Sequence, residues 1–281
     1  MYFELLWNEF SVLPEVEAIA LGGSRAGPDY DEKSDYDLYI YCTGLPCEDM
    51  RSRILEKYCT YMEIGNSFWE LEDDCILKDG VDIDILYRNI EDFSQVLYTV
   101  VEEHTAYNGY TTCMWHNLLH SRILYDKIGK LTRLQGQYRI PYPDELRSNI
   151  IHKNLRLLTG NLPSYDLQIK KAVSRQDKVS VNHRTAAFLE SYFDIIFALN
   201  KLTHPGEKRM IQYAKEQAEI LPAGFEDNLD ELFLNLFTDS EKAVQTIGKM
   251  IAALESAIKC GGMNITSGQQ GEYLTGKQAR Q

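Results

Sequence analysis

The chain has 281 residues, of which 44% are hydrophobic and 25% charged, and its formal net charge is -13. This length fits one large or two ordinary domains with a sizeable core, and the composition excludes an intrinsically disordered chain. An acidic protein is a poor general binder of nucleic acid, because phosphate backbones require a basic surface, although a local site on it can still hold a nucleotide. We therefore expect no nucleic-acid partner.

The six cysteines are scattered and form no C-x-x-C pair, which argues against a zinc site or a redox motif and favours a reducing cytosol over a disulfide framework. The first residues are acidic, and their apolar run is soon interrupted by polar residues, unlike the start of a signal peptide. No apolar run approaches the length of a membrane span. The expectation is a cytoplasmic protein without a membrane partner.

Apolar patterning predicts both strands and helices in the first half of the chain. In chain order these are a helix over 1–13, a buried strand over 16–21, a short helix or turn over 24–33, an alternating strand over 35–42, a helix over 46–61, an alternating strand over 81–87 and a mostly helical stretch over 90–125. The stretch 68–74 fits neither pattern.

The second half is predicted to be helical throughout. Helices are expected over 144–160, after Ser164, over 184–202 (apolar nearly all round and therefore buried), over 208–220 and over 240–259. Pro141 and Pro143 mark the boundary between the halves, because two prolines so close interrupt regular structure. The predicted organisation is a first domain over 1–140, a helical substrate-binding domain over 141–262 and a loose tail over 263–281.

The stretch with the strongest chemical content is Leu21-Gly22-Gly23-Ser24-Arg25, which follows the first predicted strand. Glycines let backbone N–H groups approach phosphate oxygens, since they carry no Cβ. Ser24 and the amides near Gly23 are therefore candidate ligands of the β- and γ-phosphates of a nucleotide, and Arg25 is a weaker candidate for neutralising their charge.

Carboxylates follow on two later strands. Asp35 and Asp37 share one face of the strand over 35–42, and Asp82 and Asp84 share one face of the strand over 81–87, because strand side chains alternate. Like charges this close need a cation, and Mg²⁺ prefers hard oxygen ligands that it shares with substrate phosphates. Asp35 and Asp37 are the predicted metal ligands; Asp84, with Asp82 as the open alternative, completes a second metal position or deprotonates the attacking group.

These motifs resemble the signature of the polymerase-β-like nucleotidyltransferases: Gly22-Gly23-Ser24-Arg25-Ala26, Ser34-Asp35-Tyr36-Asp37-Leu38, then Val81-Asp82-Ile83-Asp84-Ile85. The two-domain plan is similar to bacterial small-molecule enzymes that inactivate aminoglycosides and lincosamides, and the segment 123–131 looks like their junction between halves. The resemblance is specific over 16–88. It implies an α+β fold, with a mixed sheet and helices followed by a helical domain.

The resemblance further implies a Mg²⁺-dependent, ATP-using type of chemistry in which a nucleoside monophosphate passes from a nucleoside triphosphate to a hydroxyl of a small molecule, releasing pyrophosphate. Asp35, Asp37 and Asp84 would be the catalytic and metal-binding residues, with two metal ions possible, and Gly23, Ser24 and Arg25 would bind the nucleotide. A homodimer and a role in antibiotic resistance are weaker implications. The rival hypothesis is a non-catalytic nucleotide-binding regulator or a toxin–antitoxin module, including one that nucleotidylates protein.

Overall fold

The computed structural model describes residues 2–27, 34–67, 70–160 and 163–263. The predicted loose tail lies outside them, apart from its first residue. The strands are β1 Val16–Gly22, β2 Tyr36–Cys42, β3 Cys59–Asn66, β4 Glu72–Leu77, β5 Asp82–Asn89 and β6 Arg122–Asp126. The helices are α1 Tyr2–Ser11, α2 Glu48–Tyr58, α3 Ile90–Val101, α4 Cys113–His120, α5 Lys130–Gln137, α6 Asp144–Leu158, α7 Tyr165–Ser174, α8 Lys178–Leu199, α9 Met210–Gln217, α10 Phe225–Asn235 and α11 Ser240–Cys260, and Ser24–Ala26 form one 3-10 turn.

The six strands form one mixed sheet in the order β3-β4-β5-β2-β1-β6. Only β2 and β5 run parallel; the other neighbours are antiparallel. One face packs against α1 and α2, because alternate residues such as Leu38, Ile40 and Ile85 are apolar and fully buried there. The predicted α+β class, with helices following the sheet, is confirmed.

Two predicted elements need correction, and the helices α5 and α10 are not among those predicted. The helix expected over 46–61 ends at Tyr58, and β3 begins at the next residue. The stretch 122–126, predicted as helical, is strand β6 and pairs with β1 inside the sheet, so the segment 123–131 does not join the halves. The buried helix expected over 184–202 is confirmed as part of α8, whose residues 191–199 are all buried.

The chain divides into two compact units. The first contains Met1–Glu103 and Cys113–Pro141; the second contains His104–Thr112 and the chain from Tyr142 onward. We call His104–Thr112 the strap. It belongs to the helical unit because α6 and α8 hold its backbone and side chains through hydrogen bonds.

Some of the strap contacts involve a buried carboxylate. Asp194 on α8 is 1% exposed and accepts hydrogen bonds from Thr111 N at 3.1 Å, Thr111 Oγ1 at 2.7 Å and Asn154 Nδ2 at 3.1 Å. Burial raises the pKa of Asp194 to about 7, and the Thr111 and Asn154 donors act against that rise. The strap is thus fixed to the helical unit at a costly buried charge.

Within the described residues, no helix is both long and apolar enough to span a membrane.

Candidate active site

The glycine turn lies directly against one of the predicted aspartates. Gly23 has φ 58° and ψ -159°, a conformation that side-chain-bearing residues rarely adopt. A Cβ built on Gly23 would lie 1.7 Å from Oδ2 of Asp37. Any larger residue would therefore displace the carboxylate or the turn. Two residues that were separate motifs in the sequence are in contact in the fold.

Strand register aligns the turn with carboxylates from three further strands. Gly22 pairs with Asp37 between β1 and β2, Asp37 pairs with Asp84 between β2 and β5, and Asp84 pairs with Asp74 between β5 and β4. Side chains of directly paired residues project from the same face of a sheet. We call Asp37, Asp84 and Asp74 the acidic row. It crosses the face opposite the α1 and α2 core.

The electrostatics of the row centre on Asp84. The pKa of Asp84 is raised to about 6, most strongly by burial and in addition by four neighbouring carboxylates: Asp37, Asp74, Asp35 and Glu72. Removing water and adding like charges both disfavour the ionised form of an acid. The row therefore concentrates negative charge on one face of the sheet.

The register also separates the two candidate third carboxylates. Asp84 is half-buried and lies opposite Asp37, whereas Asp82 is exposed and pairs with Ile76 of β4. Asp35 precedes β2 and is close enough to contribute to the raised pKa of Asp84. This geometry favours Asp84 over Asp82 as the partner of Asp35 and Asp37.

Ser24 and Arg25 occupy different surroundings. Ser24 is exposed at the start of the 3-10 turn, one residue after Gly23. Arg25 donates through Nε to the carbonyl oxygen of Ser34, and its guanidinium lies 4.2 Å from the ring centroid of Tyr36. Tyr36 projects from the α1 side, where it stacks on Phe3 at 4.0 Å. The fold brings Gly23, Asp37 and Asp84 together, while phosphate binding by Arg25 stays a prediction.

The sequence reasoning missed the carboxylates of β4. Glu72 and Asp74 lie on the same face as Asp84, in the stretch that fitted no pattern. The alternation is hidden because the intervening Asp73 is itself fully buried: it forms an ion pair with Arg51 of α2 and accepts a hydrogen bond from Tyr87 Oη at 2.8 Å. In the sequence, this buried and paired aspartate interrupts the apolar pattern that would otherwise mark the inward face of a strand. Asp73, Cys75 and Leu77 are buried at every second position, and this spacing is the signal that could have located β4.

The donor set fits a magnesium ion that shares its shell with a nucleotide. Among the described residues, no three His, Cys, Asp or Glu side chains converge into a ready-made metal cage. Mg²⁺ does not require one, since it is usually held by one or two carboxylates together with waters and substrate phosphates. Asp37 and Asp84, paired across parallel strands beside a glycine turn, offer those two carboxylates. The charge that raises the pKa of Asp84 is what a divalent cation would offset.

Comparisons with known proteins give one family match. Residues 111–210 match the family described as "Domain of unknown function (DUF4037)". No curated protein sequence matches the chain.

Three solved structures are similar to the chain at low sequence identity. A nucleotidyltransferase-like protein from Exiguobacterium sibiricum is 12% identical with a TM-score of 0.42, over 92% of this chain and 74% of that one. An aminoglycoside 6-adenyltransferase from Bacillus subtilis is 12% identical with a TM-score of 0.32, over 93% and 91%. A Thermotoga maritima CCA-adding enzyme complexed with tRNA is 11% identical with a TM-score of 0.23, over 95% and 83%.

Two of these structures are described by name as a nucleotidyltransferase-like protein and an adenyltransferase. All three TM-scores are below 0.5.

Proposed function

We propose that the chain is a Mg²⁺-dependent nucleotidyltransferase that moves a nucleoside monophosphate from a nucleoside triphosphate to a hydroxyl of a small molecule and releases pyrophosphate. The observation that carries the proposal is the alignment of the Gly22-Gly23 turn with Asp37 and Asp84 on three adjacent strands. Phosphoryl transfer needs little covalent help from a protein and depends on positioning and charge stabilisation. A glycine turn beside paired carboxylates supplies both.

Each element of the site has a separate task under this proposal. The backbone of Gly23 and the hydroxyl of Ser24 bind the β- and γ-phosphates. Asp35 and Asp37 hold the metal that chelates the triphosphate, and Asp84 holds a second metal or accepts the proton of the attacking hydroxyl. Bound Mg²⁺ would neutralise the developing negative charge on the phosphate oxygens.

The acceptor is proposed to be a hydroxylated small molecule. The net charge of -13 and the acidic row favour a cationic acceptor, such as an aminoglycoside, over an anionic one. Antibiotic modification is the corresponding biological role.

The test is a transfer assay with α-labelled nucleoside triphosphates, Mg²⁺ and a panel of hydroxylated aminoglycosides and lincosamides. We expect label on a small molecule together with pyrophosphate release, and a loss of roughly a hundredfold or more in Asp84→Asn. Asp79→Asn, in the exposed turn before β5, is the matched control and should retain activity.

The other outcomes are equally informative. Label on the protein would point to protein nucleotidylation, and nucleotide binding without pyrophosphate release would point to a regulator. Full activity in both Asp84→Asn and Asp82→Asn would refute the site assignment.

A further inference from the structure

The face that carries the acidic row also contains a buried arginine. Arg88 lies on β5, four residues after Asp84 and therefore on the same side of the sheet, and is 8% exposed. It forms a two-pronged ion pair with Glu70, Nε to Oε2 at 2.7 Å and Nη2 to Oε1 at 2.7 Å. A third donor, Nη1, reaches Oδ1 of Asn117 on α4 at 2.8 Å. Its guanidinium is thus held in one fixed orientation.

Burying an ion pair is a poor way to gain stability, since apolar residues of similar size often serve as well or better. Arg88 is buried in this pair while Glu70 is half-buried, and we explain the pair by the geometry that it fixes. Here that geometry involves Tyr39. The guanidinium of Arg88 lies 4.1 Å from the Tyr39 ring centroid, and Asn117 Nδ2 donates to Tyr39 Oη at 2.7 Å.

Tyr39 connects this network to the glycine turn. It lies on β2, two residues after Asp37 and on the same face, and pairs with Ala20 of β1. A Cβ built on Gly22 would lie 2.1 Å from Cε2 of Tyr39, so the ring packs directly against the backbone at Gly22. The ring therefore supports the end of β1 from which the turn leaves.

We infer that Arg88 is a positioning residue for the proposed transfer reaction. Together with Asn117 it holds the Tyr39 ring against Gly22. The ring in turn fixes the position of the Gly22-Gly23-Ser24 turn relative to Asp37 and Asp84. The inference rests on the proposed function for its catalytic consequence. Its structural part, control of the turn through Tyr39, stands on the contacts alone.

The residue needed here is an arginine in particular. Only a planar guanidinium can stack on Tyr39 while presenting separate donors to Glu70 and Asn117. Lysine keeps the charge but loses both the stacking and the two-pronged contact. Arg88→Lys therefore tests the positioning without removing the cation.

The experiment compares Arg88→Lys and Asn117→Leu with wild type, with Arg53→Lys on the exposed surface of α2 as the control. Amide hydrogen exchange of residues 20–27 is measured beside the melting temperature, and binding of a Mg²⁺–nucleotide is measured beside turnover. We expect amide exchange at the turn to rise about tenfold while exchange in the rest of the sheet is unchanged, because the turn then opens locally more often. A tenfold rise corresponds to a loss of about 1.4 kcal/mol in the free energy of local opening.

The catalytic readout is a split between kinetic constants. KM for the nucleotide should rise about tenfold with a smaller change in kcat, because the turn binds phosphate in the ground state as well as in the transition state. Asn117→Leu keeps Arg88 and Glu70 in place, so it reports on the turn even where Arg88→Lys folds poorly. Turn exchange equal to wild type in Asn117→Leu, or in a folded Arg88→Lys, would overturn the inference that the two residues together position the turn. Faster exchange at the turn, in a protein that proves to transfer nothing, would confirm the control of the turn by Arg88 and Asn117 and refute the proposed function with the catalytic role that rests on it.

Discussion

Gly23 is the single residue on which the site depends most closely. Its positive φ and its contact with Asp37 both exclude a side chain, so Gly23→Ala must distort the turn or displace the carboxylate. We predict that this substitution lowers Mg²⁺–nucleotide affinity by roughly a hundredfold, or about 2.7 kcal/mol, measured by calorimetry. Gly44→Ala is the matched control, because a Cβ there meets nothing within 4 Å. Equal affinities in the two variants would contradict the role of the turn.

Asp84 makes a prediction about stability. Burial and the surrounding carboxylates raise its pKa to about 6, above the ordinary value of about 3.9 for an unfolded chain. Between these values the folded protein keeps the proton that the unfolded chain has lost, so stability falls as the pH rises and the full cost is present above about pH 6.

Asp84→Asn removes that cost. Without divalent ions, we expect the variant to be more stable than wild type by on the order of 1 kcal/mol at pH 8, allowing for solvent screening of a partly exposed group. Below pH 4 the difference should vanish, because both chains then carry a neutral side chain. Urea unfolding at the two pH values measures it, with Asp79→Asn as control. A variant less stable than wild type at pH 8 would contradict this prediction, because it would show that favourable contacts of the ionised Asp84 outweigh the cost of its charge.

At the scale of elements, the sequence predicts strands well where apolar and polar residues alternate cleanly. The strands β1, β2 and β5 were predicted with bounds close to those observed, since β1 is a compact apolar run that is buried along most of its length, and the sequences of β2 and β5 alternate between aspartates and apolar residues. β4 was missed because Asp73 occupies an inward position and is satisfied by Arg51 and Tyr87, partners that only the fold supplies. β6 is short and only half-buried at the sheet edge, so it gives no strong pattern.

The same contrast holds for the site. Gly23, Asp37 and Asp84 were predictable, because glycine turns and paired aspartates have distinct chemistry at short range. Asp74 and the Arg88–Tyr39 contact depend on strand order and register, which residues far apart in the chain determine together.

The strap provides a test at this scale. Thr111→Val removes the hydroxyl that donates to the buried Asp194 at 2.7 Å while preserving the shape of the side chain. Leaving a buried carboxylate short of a donor should lower the free energy of unfolding by roughly 1–3 kcal/mol, measured by urea denaturation of the full chain. Thr60→Val, on the exposed face of the edge strand β3, should change it by less than about 0.5 kcal/mol. Equal losses in the two variants would show that the hydroxyl contributes nothing specific to Asp194.

At the scale of the whole molecule, the relevant property is the net negative charge. The chain carries a formal charge of -13, and the acidic row concentrates part of it on one face of the sheet. A bound cation with its nucleotide should therefore stabilise the fold by mass action. At one hundred times the dissociation constant we predict a rise of roughly 5 °C in the unfolding temperature of wild type, and little rise in Asp37→Asn. Calorimetry with and without Mg²⁺–nucleotide measures it, and equal shifts in both proteins would argue against the site.

The most direct test of the central claim needs no knowledge of the acceptor. Mn²⁺ replaces Mg²⁺, and electron paramagnetic resonance measures how the ion binds together with a triphosphate analogue that cannot be cleaved between the α- and β-phosphates. We predict that wild type and Asp79→Asn bind the metal–nucleotide, and that Asp37→Asn and Asp84→Asn each lose at least about tenfold in affinity. Binding to Asp37→Asn and Asp84→Asn as tight as to wild type, or no binding of any of the common triphosphates to wild type, would contradict a nucleotide site at the acidic row.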